Sequence, residues 1–395
     1  MIDDRIARHN TRVLAVAQAL GGASPPIVVS LGGIVGQALS PDKGLATLPV
    51  SLLQLGLALG TLPAAYVMRR FGRRSGYILG AMVGVLGGTV AAAGIAAGSF
   101  LAFCLGTLTA GFYISYVQSY RFAAADSASP AFKPRAISWV MAGGLAAGII
   151  GPQTVIWTRD LIPGSLFAAS FLAQGALALL TIPVVACLRP APATAGAFWS
   201  GGRPLSEIVL QPRFLVAVAT GVVSFALMSF LMTAAPVAMV ECGHSVGTAA
   251  LGIQWHVLAM FGPSFVTPRL MRRFGTPRVT TAGLLLIGAA AATGLSGLTV
   301  ANFWLALVLL GVGWNLAFTG ATVLVTECYR PEERAKVQAA NDFLVFGSVA
   351  VASFSSGKLL AVGGWESVNW LVFPPIILVL GLILWQSRRT VPAPA

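Results

Sequence analysis

Twelve stretches of this chain, each about as long as a bilayer-crossing helix requires, run almost without charge. They lie near 12–39, 44–68, 76–98, 100–122, 135–158, 165–187, 213–240, 246–270, 277–298, 301–326, 335–361 and 366–386. Asp, Glu, Lys and Arg make up 9% of the 395 residues, against roughly 25% in a soluble domain. Soluble cores cannot hide so much apolar surface, so most of it must face lipid or other buried helices. Backbone groups in lipid must be satisfied within their own segment, which makes these runs helices. A membrane barrel would show alternating segments of about ten residues, and these runs are continuous. The expected fold class is an all-α membrane protein of twelve transmembrane helices. That excludes most soluble enzymes and nucleic-acid binders. The apolar run after MIDDRIARHNTR spans about 27 residues, too long for a signal-peptide core, and reads as a retained first helix.

The formal net charge of +13 follows from topology. Cytoplasmic loops of membrane proteins carry an excess of Lys and Arg. With the N-terminus inside, alternate connections collect 22 of the 25 basic residues and eight of the twelve acids, a net +14 against −1 on the other side. No basic groove for nucleic acid is needed. Both termini are expected in the cytoplasm, and the protein in the cytoplasmic (inner) membrane.

The one long polar connection, near 188–212, splits the chain six helices plus six. The expected domains are an N-terminal bundle over 1–187, a cytoplasmic linker over 188–212 and a C-terminal bundle over 213–395. Met68-Arg69-Arg70-Phe71-Gly72 recurs as Met271-Arg272-Arg273-Phe274-Gly275, after the second helix of each half. Pro134-Arg135-Ala136 and Glu333-Arg334-Ala335 open the fifth and eleventh helices at nearly the same offset. A duplication with a cavity between the halves is how many transporters are built.

On these residues the chain resembles the major facilitator superfamily over essentially its whole length. The family's loop between helices 2 and 3 reads G-x-x-x-D-R-x-G-R-R. Here Arg70-Phe71-Gly72-Arg73-Arg74 matches, while Ala65 and Arg69 stand at the Gly and Asp positions. Gly151-Pro152 matches the fifth-helix motif of the family's proton-coupled exporters. Their fourth-helix Arg would fall near Thr107 and is absent. The resemblance implies a cavity lined by helices 1, 4, 7 and 10. Their polar and aromatic members are Gln18, Ser24, Ser30, Tyr113, Tyr116, Gln118, Ser224, Met228, Trp314, Asn315 and Thr319.

His256 lies roughly 15 Å along its helix from Val246, near the bilayer midplane. It is either a packed ring bonded to a neighbouring helix or a titrating, substrate-binding group. Asp342 is either a proton carrier or a partner of the loop arginines Arg69, Arg70, Arg73 and Arg74. Glu332 and Glu333 follow Pro331 and suit a helix N-terminus; they are also candidate gate partners for those arginines. Asp126 would mirror them for Arg272 and Arg273. Gly76, Gly80, Gly84 and Gly88 form a four-residue ladder suited to close helix packing. Gly243-His244-Ser245-Val246-Gly247 fits the hydrolase pattern G-x-S-x-G but sits between two spans, where no strand-to-helix elbow can form. No P-loop, HExxH or GxGxxG occurs, and the four cysteines are far apart.

The expected function is a non-enzymatic, monomeric secondary transporter. It would move a small organic solute by alternating access with protons as coupling ion, with no cofactor, metal or nucleic acid. A transporter-like receptor or scaffold is the alternative. The charge distribution predicts that a reporter fused after Ala395 reads as cytoplasmic and one inserted in the 159–164 loop as external. An external C-terminus would overturn the twelve-span topology.

Overall fold

The computed structural model describes residues 4–129, 132–189, 202–330 and 333–389. The described residues are helical, with short turns and no strand. Ten stretches are long and apolar enough to cross a membrane, and a bent pair over 246–274 makes an eleventh. The last stretch, Lys336–Ser387, is 52 residues long. At 1.5 Å per residue that is about 78 Å, more than twice a hydrocarbon core of about 30 Å. It holds two helices, which brings the crossings to about twelve.

The first half comprises α1 (Asp4–Gly21), α2 (Ser24–Leu39), α3 (Leu48–Phe71), α4 (Arg73–Ala96), α5 (Phe100–Gln118), α6 (Tyr120–Asp126), α7 (Lys133–Thr158) and α8 (Ala168–Ala186). A short α9 (Leu205–Val209) sits in the linker, with Ile208 buried against the second half. That half comprises α10 (Pro212–Glu241), α11 (Val246–Phe261), α12 (Thr267–Phe274), α13 (Thr276–Leu295), α14 (Val300–Thr326), α15 (Arg334–Trp370) and α16 (Phe373–Arg389).

Three expected spans are broken: the first, the eighth and, at Ser119 between α5 and α6, the fourth. The first is two helices, α1 and α2, because Pro25 and Pro26 occupy the opening turn of α2, where their missing N–H groups cost nothing. The eighth bends by 53° between the α11 segment and α12, around the 3₁₀ turn Gly262–Phe265. Pro263 and Pro268 there interrupt the helical hydrogen bonds. Asn315 of α14 caps the break. Its Nδ2 donates to the Met260 carbonyl and the Ser264 hydroxyl, each at 2.7 Å, and its Oδ1 accepts from Thr267 at 2.6 Å. Gly364, at φ 67°, interrupts α15 where the expected eleventh and twelfth spans divide.

The repeated motif folds the same way twice. Gly72 (φ 82°) and Gly275 (φ 85°) both take the left-handed backbone that turns one helix into the next. Arg70 lies over the Phe71 ring, and Arg273 over that of Phe274. This conformational identity supports the duplication.

Helices approach closely where glycine removes the side chain. The ladder of α4 is such a surface. Tyr116 packs against Gly80, Tyr113 against Gly84, and α8 crosses at Gly88. A Cβ on Gly88 would stand 2.6 Å from the Phe171 carbonyl oxygen, whereas Gly381 of α16 has open space around it. Gly88→Ala should therefore destabilise the protein by about 1–3 kcal/mol through overpacking. Gly381→Ala should stabilise it by about 0.5–1 kcal/mol through helix propensity. Thermal melts of the two variants in one detergent check this; equal shifts would refute the packing role.

Candidate functional site

Two ends of the molecule are distinguished by their contacts. At one, here the linker face, α1 begins, α8 ends and α15 begins. Asn10 bonds the Arg189 backbone, and Arg203 bonds Glu333. At the other, the far face, the two halves are joined. The Ser353 carbonyl accepts from Thr47 at 3.1 Å, and its hydroxyl bonds Ser51 and Thr233, each at 3.1 Å. Ser353 is fully buried. Gln37 donates to Glu241 at 2.7 Å, and Gln153 to Gln254 at 2.9 Å. Gly33 and Gly357 let α2 and α15 come close to Val237 and Thr47 of the opposite halves.

Between the halves, on the linker side of this seam, lies a cavity of about 1150 Å³ of empty space, counting its open mouth. Its walls come from α1, α2, α3, α5, α6, α7, α10, α11 and α15. They are mostly apolar: Met141, Met228, Met232 and Met260 with Phe225, Phe261 and Phe346. The polar groups are Gln18, Gln54, Gln118 and Arg121. Flexible thioethers and aromatic rings around a few convergent donors suit a large, flat, largely apolar organic molecule.

Of the expected substrate contacts, Gln18 lines this cavity, as do Gln118 and Met228. The rest are placed elsewhere. Tyr113 is buried against the glycine ladder and donates to Thr181 at 3.3 Å, while Tyr116 covers Gly80. Ser24 accepts from Gln174 at 2.8 Å. Ser224 donates to the Gly221 carbonyl of its own helix. Trp314 stacks on Phe318 at 5.2 Å and reaches the cavity only through Phe225, which it meets at 5.3 Å. Asn315 serves the helix break. Thr319 is half-buried away from the cavity. α14 therefore contributes nothing to the lining. Asn315 and Trp304 of α14 instead brace α11, which supplies Ile253, Val257, Met260 and Phe261 to the lining.

His256 is fully buried behind that lining. Its Nδ1 lies 2.7 Å from the Leu307 carbonyl. A carbonyl only accepts, so Nδ1 carries the proton and Nε2 is left buried without a partner. The packed-ring alternative describes this geometry, and in this conformation His256 is not among the residues that line the cavity.

The charged candidates also sort differently than expected. Asp126 pairs with Arg73 at 2.5 Å inside the first half, not with Arg272 or Arg273, which are exposed on the second half. Glu333 is buried, and four hydrogen bonds occupy both its oxygens. Arg203 Nε, Nη2 and backbone N donate at 2.9, 2.9 and 2.8 Å, and Arg330 N at 2.9 Å. Chiefly the Arg203 bond, then that from Arg330, holds its carboxyl well below the usual carboxylate range. Lys336 donates to the Arg203 carbonyl alongside. Glu333 thus clamps the linker to the second half and has no valence left for Arg69, Arg70, Arg73 or Arg74. Glu332 lies outside the described residues. Arg69, Arg70 and Arg74 are exposed, and so is Asp342, whose carboxylate accepts from Asn341 at 3.1 Å. The G-x-S-x-G serine, Ser245, caps α11 by accepting from Thr248 N at 3.1 Å, a structural task.

Sequence reasoning missed Gln54 and Arg121. Gln54 is a lone amide in an apolar span, the same signal that singled out Gln18. Arg121 reads as one more basic residue at the end of a span.

A profile described as Major Facilitator Superfamily matches residues 13–353 and 264–395. The riboflavin transporter RfnT of Brucella anthropi is 62% identical over 383 residues, 96% of each chain. The uncharacterized MFS-type transporter YddS of Bacillus subtilis is 27% identical over 98% of this chain and 92% of its own. Among solved structures, a variant of the nucleoside transporter NupG superposes with a TM-score of 0.73 at 13% identity, covering 96% of this chain and 99% of that one. A bacterial homolog of the human lysosomal transporter Spinster, inward-facing and unoccupied, superposes with a TM-score of 0.72 at 13% identity over the whole of both chains. The chain belongs to the major facilitator superfamily and is a multi-pass membrane transporter, not an enzyme.

Proposed function

We propose that this transporter carries riboflavin or a close flavin across the cytoplasmic membrane by alternating access. The observation that carries the reading is the 62% identity, over 96% of both chains, to a riboflavin transporter. The cavity is consistent with it. An isoalloxazine is a flat tricycle, apolar at its dimethylbenzene end and carrying four acceptors and one N–H donor toward its pyrimidine end, and the lining offers methionines, phenylalanines, three glutamines and one arginine. With the basic linker face placed in the cytoplasm, the closed far face and the cavity beneath it describe an inward-facing state.

Cells unable to make riboflavin should accumulate labelled riboflavin, or extrude it, when they express this chain. Gln18→Ala, Gln54→Ala and Gln118→Ala should each weaken riboflavin binding by about three- to tenfold, the worth of one hydrogen bond of about 0.5–1.5 kcal/mol. Flavin fluorescence quenching on the purified protein measures this. No flavin binding by the parent protein would overturn the reading.

The coupling ion in this proposal is the proton, and Asp342 is the carrier. It is an acid within a span, exposed on the linker-face side of the cavity, where alternating access would open and close it to solvent. Asp342→Asn should retain flavin binding and exchange but lose accumulation driven by a pH gradient in vesicles. His256, already bonded to a backbone carbonyl and walled from the cavity, is the second candidate. His256→Gln should transport like the parent from pH 5.5 to 8. Gradient-driven transport that survives Asp342→Asn and is lost in His256→Gln would reverse the assignment.

A further inference from the structure

Among the described residues that line the cavity, Arg121 is the one that carries a charge. It lies on α6, one turn beyond Gln118 and just past the break at Ser119. Its guanidinium carbon lies 4.8 Å from the centre of the Phe122 ring. Its Nε is buried without a hydrogen-bond partner. The four ion pairs of the described residues do not include it. Asp342 of the opposite half is within electrostatic reach but does not pair with it. Arg121 therefore holds donors in reserve at the edge of an apolar chamber.

The nearby carboxylate decides what those donors suit. An anion would be drawn to Arg121 and repelled by Asp342. A neutral molecule rich in acceptors meets the donors without that repulsion. A guanidinium presents its N–H groups as a rigid planar fork, which matches two acceptors side by side and which an ammonium cannot reproduce. An isoalloxazine carries two such pairs, N1 with O2 and O4 with N5. We propose that Arg121 is a specificity residue that reads one acceptor edge of the flavin ring. The inference rests on the flavin reading above and adds which end of the cargo is recognised, and by what.

The test uses the purified full chain and flavin fluorescence titration. In the parent protein, 1-deazariboflavin or 5-deazariboflavin, each with one ring nitrogen replaced by C–H, should bind roughly tenfold more weakly than riboflavin, the cost of one charge-assisted hydrogen bond. Arg121→Gln and Arg121→Lys should abolish that discrimination. Both should weaken riboflavin and lumiflavin, which lacks the ribityl chain, by the same factor. Equal binding of both deaza analogues and riboflavin by the parent overturns the proposal without recourse to any variant. So does Arg121→Lys weakening riboflavin while sparing lumiflavin, which would place Arg121 on the ribityl chain. Flavin mononucleotide binding the parent more tightly than riboflavin, with that advantage kept in Arg121→Lys, would make it an anion site instead. A parent protein that binds no flavin overturns the flavin reading and this inference with it.

Discussion

Helices in a bilayer gain nothing from hiding apolar side chains from one another, because lipid tails are as apolar as leucine. They associate through close contact, and here glycine sets the distance. Gly56 and Gly111 press α3 and α5 together, each against the other helix's backbone. Gly87 and Gly106 do the same for α4 and α5, and Gly283 and Gly313 for α13 and α14. The ladder of α4 goes further and gives two tyrosines flat surfaces to lie on. With Tyr113 and Tyr116 packed there, the first half presents the cavity with aliphatic side chains, Met141, amides and Arg121. The character of the site thus follows from how tightly the surrounding helices pack.

The two faces of the molecule are built from different chemistry. The far-face seam uses hydroxyls, amides and glycines, with Glu241 bonded to an amide rather than to a cation. The hydroxyl and amide bonds among these are neutral, contribute about 0.5–1.5 kcal/mol each and can be exchanged for water at modest cost. The linker face uses charge, but among the described residues not across the seam: Arg73 with Asp126 in the first half, Arg213 with Glu327 in the second, and Arg203 of the linker with Glu333. These pairs stiffen the ends of each bundle and leave the seam between the bundles to weaker contacts. That division suits the alternating access proposed above.

The candidate site was legible in part. A polar residue deep in an apolar run is costly unless it has a task, and this argument finds Gln18 and applies equally to Gln54. It does not find Asn315 and His256, which are as polar and as deep, in the lining, because their side chains turn to other helices. One caps a broken helix and the other bonds a backbone carbonyl. Type and depth cannot separate the two cases, since the difference lies in the direction each side chain takes. Trp314 fails likewise, one ring removed from the cavity behind Phe225. Arg121 was hidden for the opposite reason. Charge at the end of a span is what topology requires, and nothing in its neighbours marks it as facing inward.

The sequence by itself determined the helical class, the run of spans, the asymmetry of charge and the duplication. Each of these is a one-dimensional property: the length of an apolar run, the alternation of basic connections, the recurrence of Met-Arg-Arg-Phe-Gly. Lipid makes them decisive, because a chain there has few ways to satisfy its backbone. Only the tertiary structure decided which face of each helix looks into the cavity, which acid meets which arginine and which side of the molecule is closed. Those depend on helix rotation and on contacts between residues more than a hundred positions apart, such as Thr47 with Ser353 and Arg203 with Glu333. No local pattern encodes them. Glu333 shows the physical reason: the same carboxylate at a helix start could serve a gate or a clamp, and the folded linker, by bringing Arg203 to it, made it a clamp.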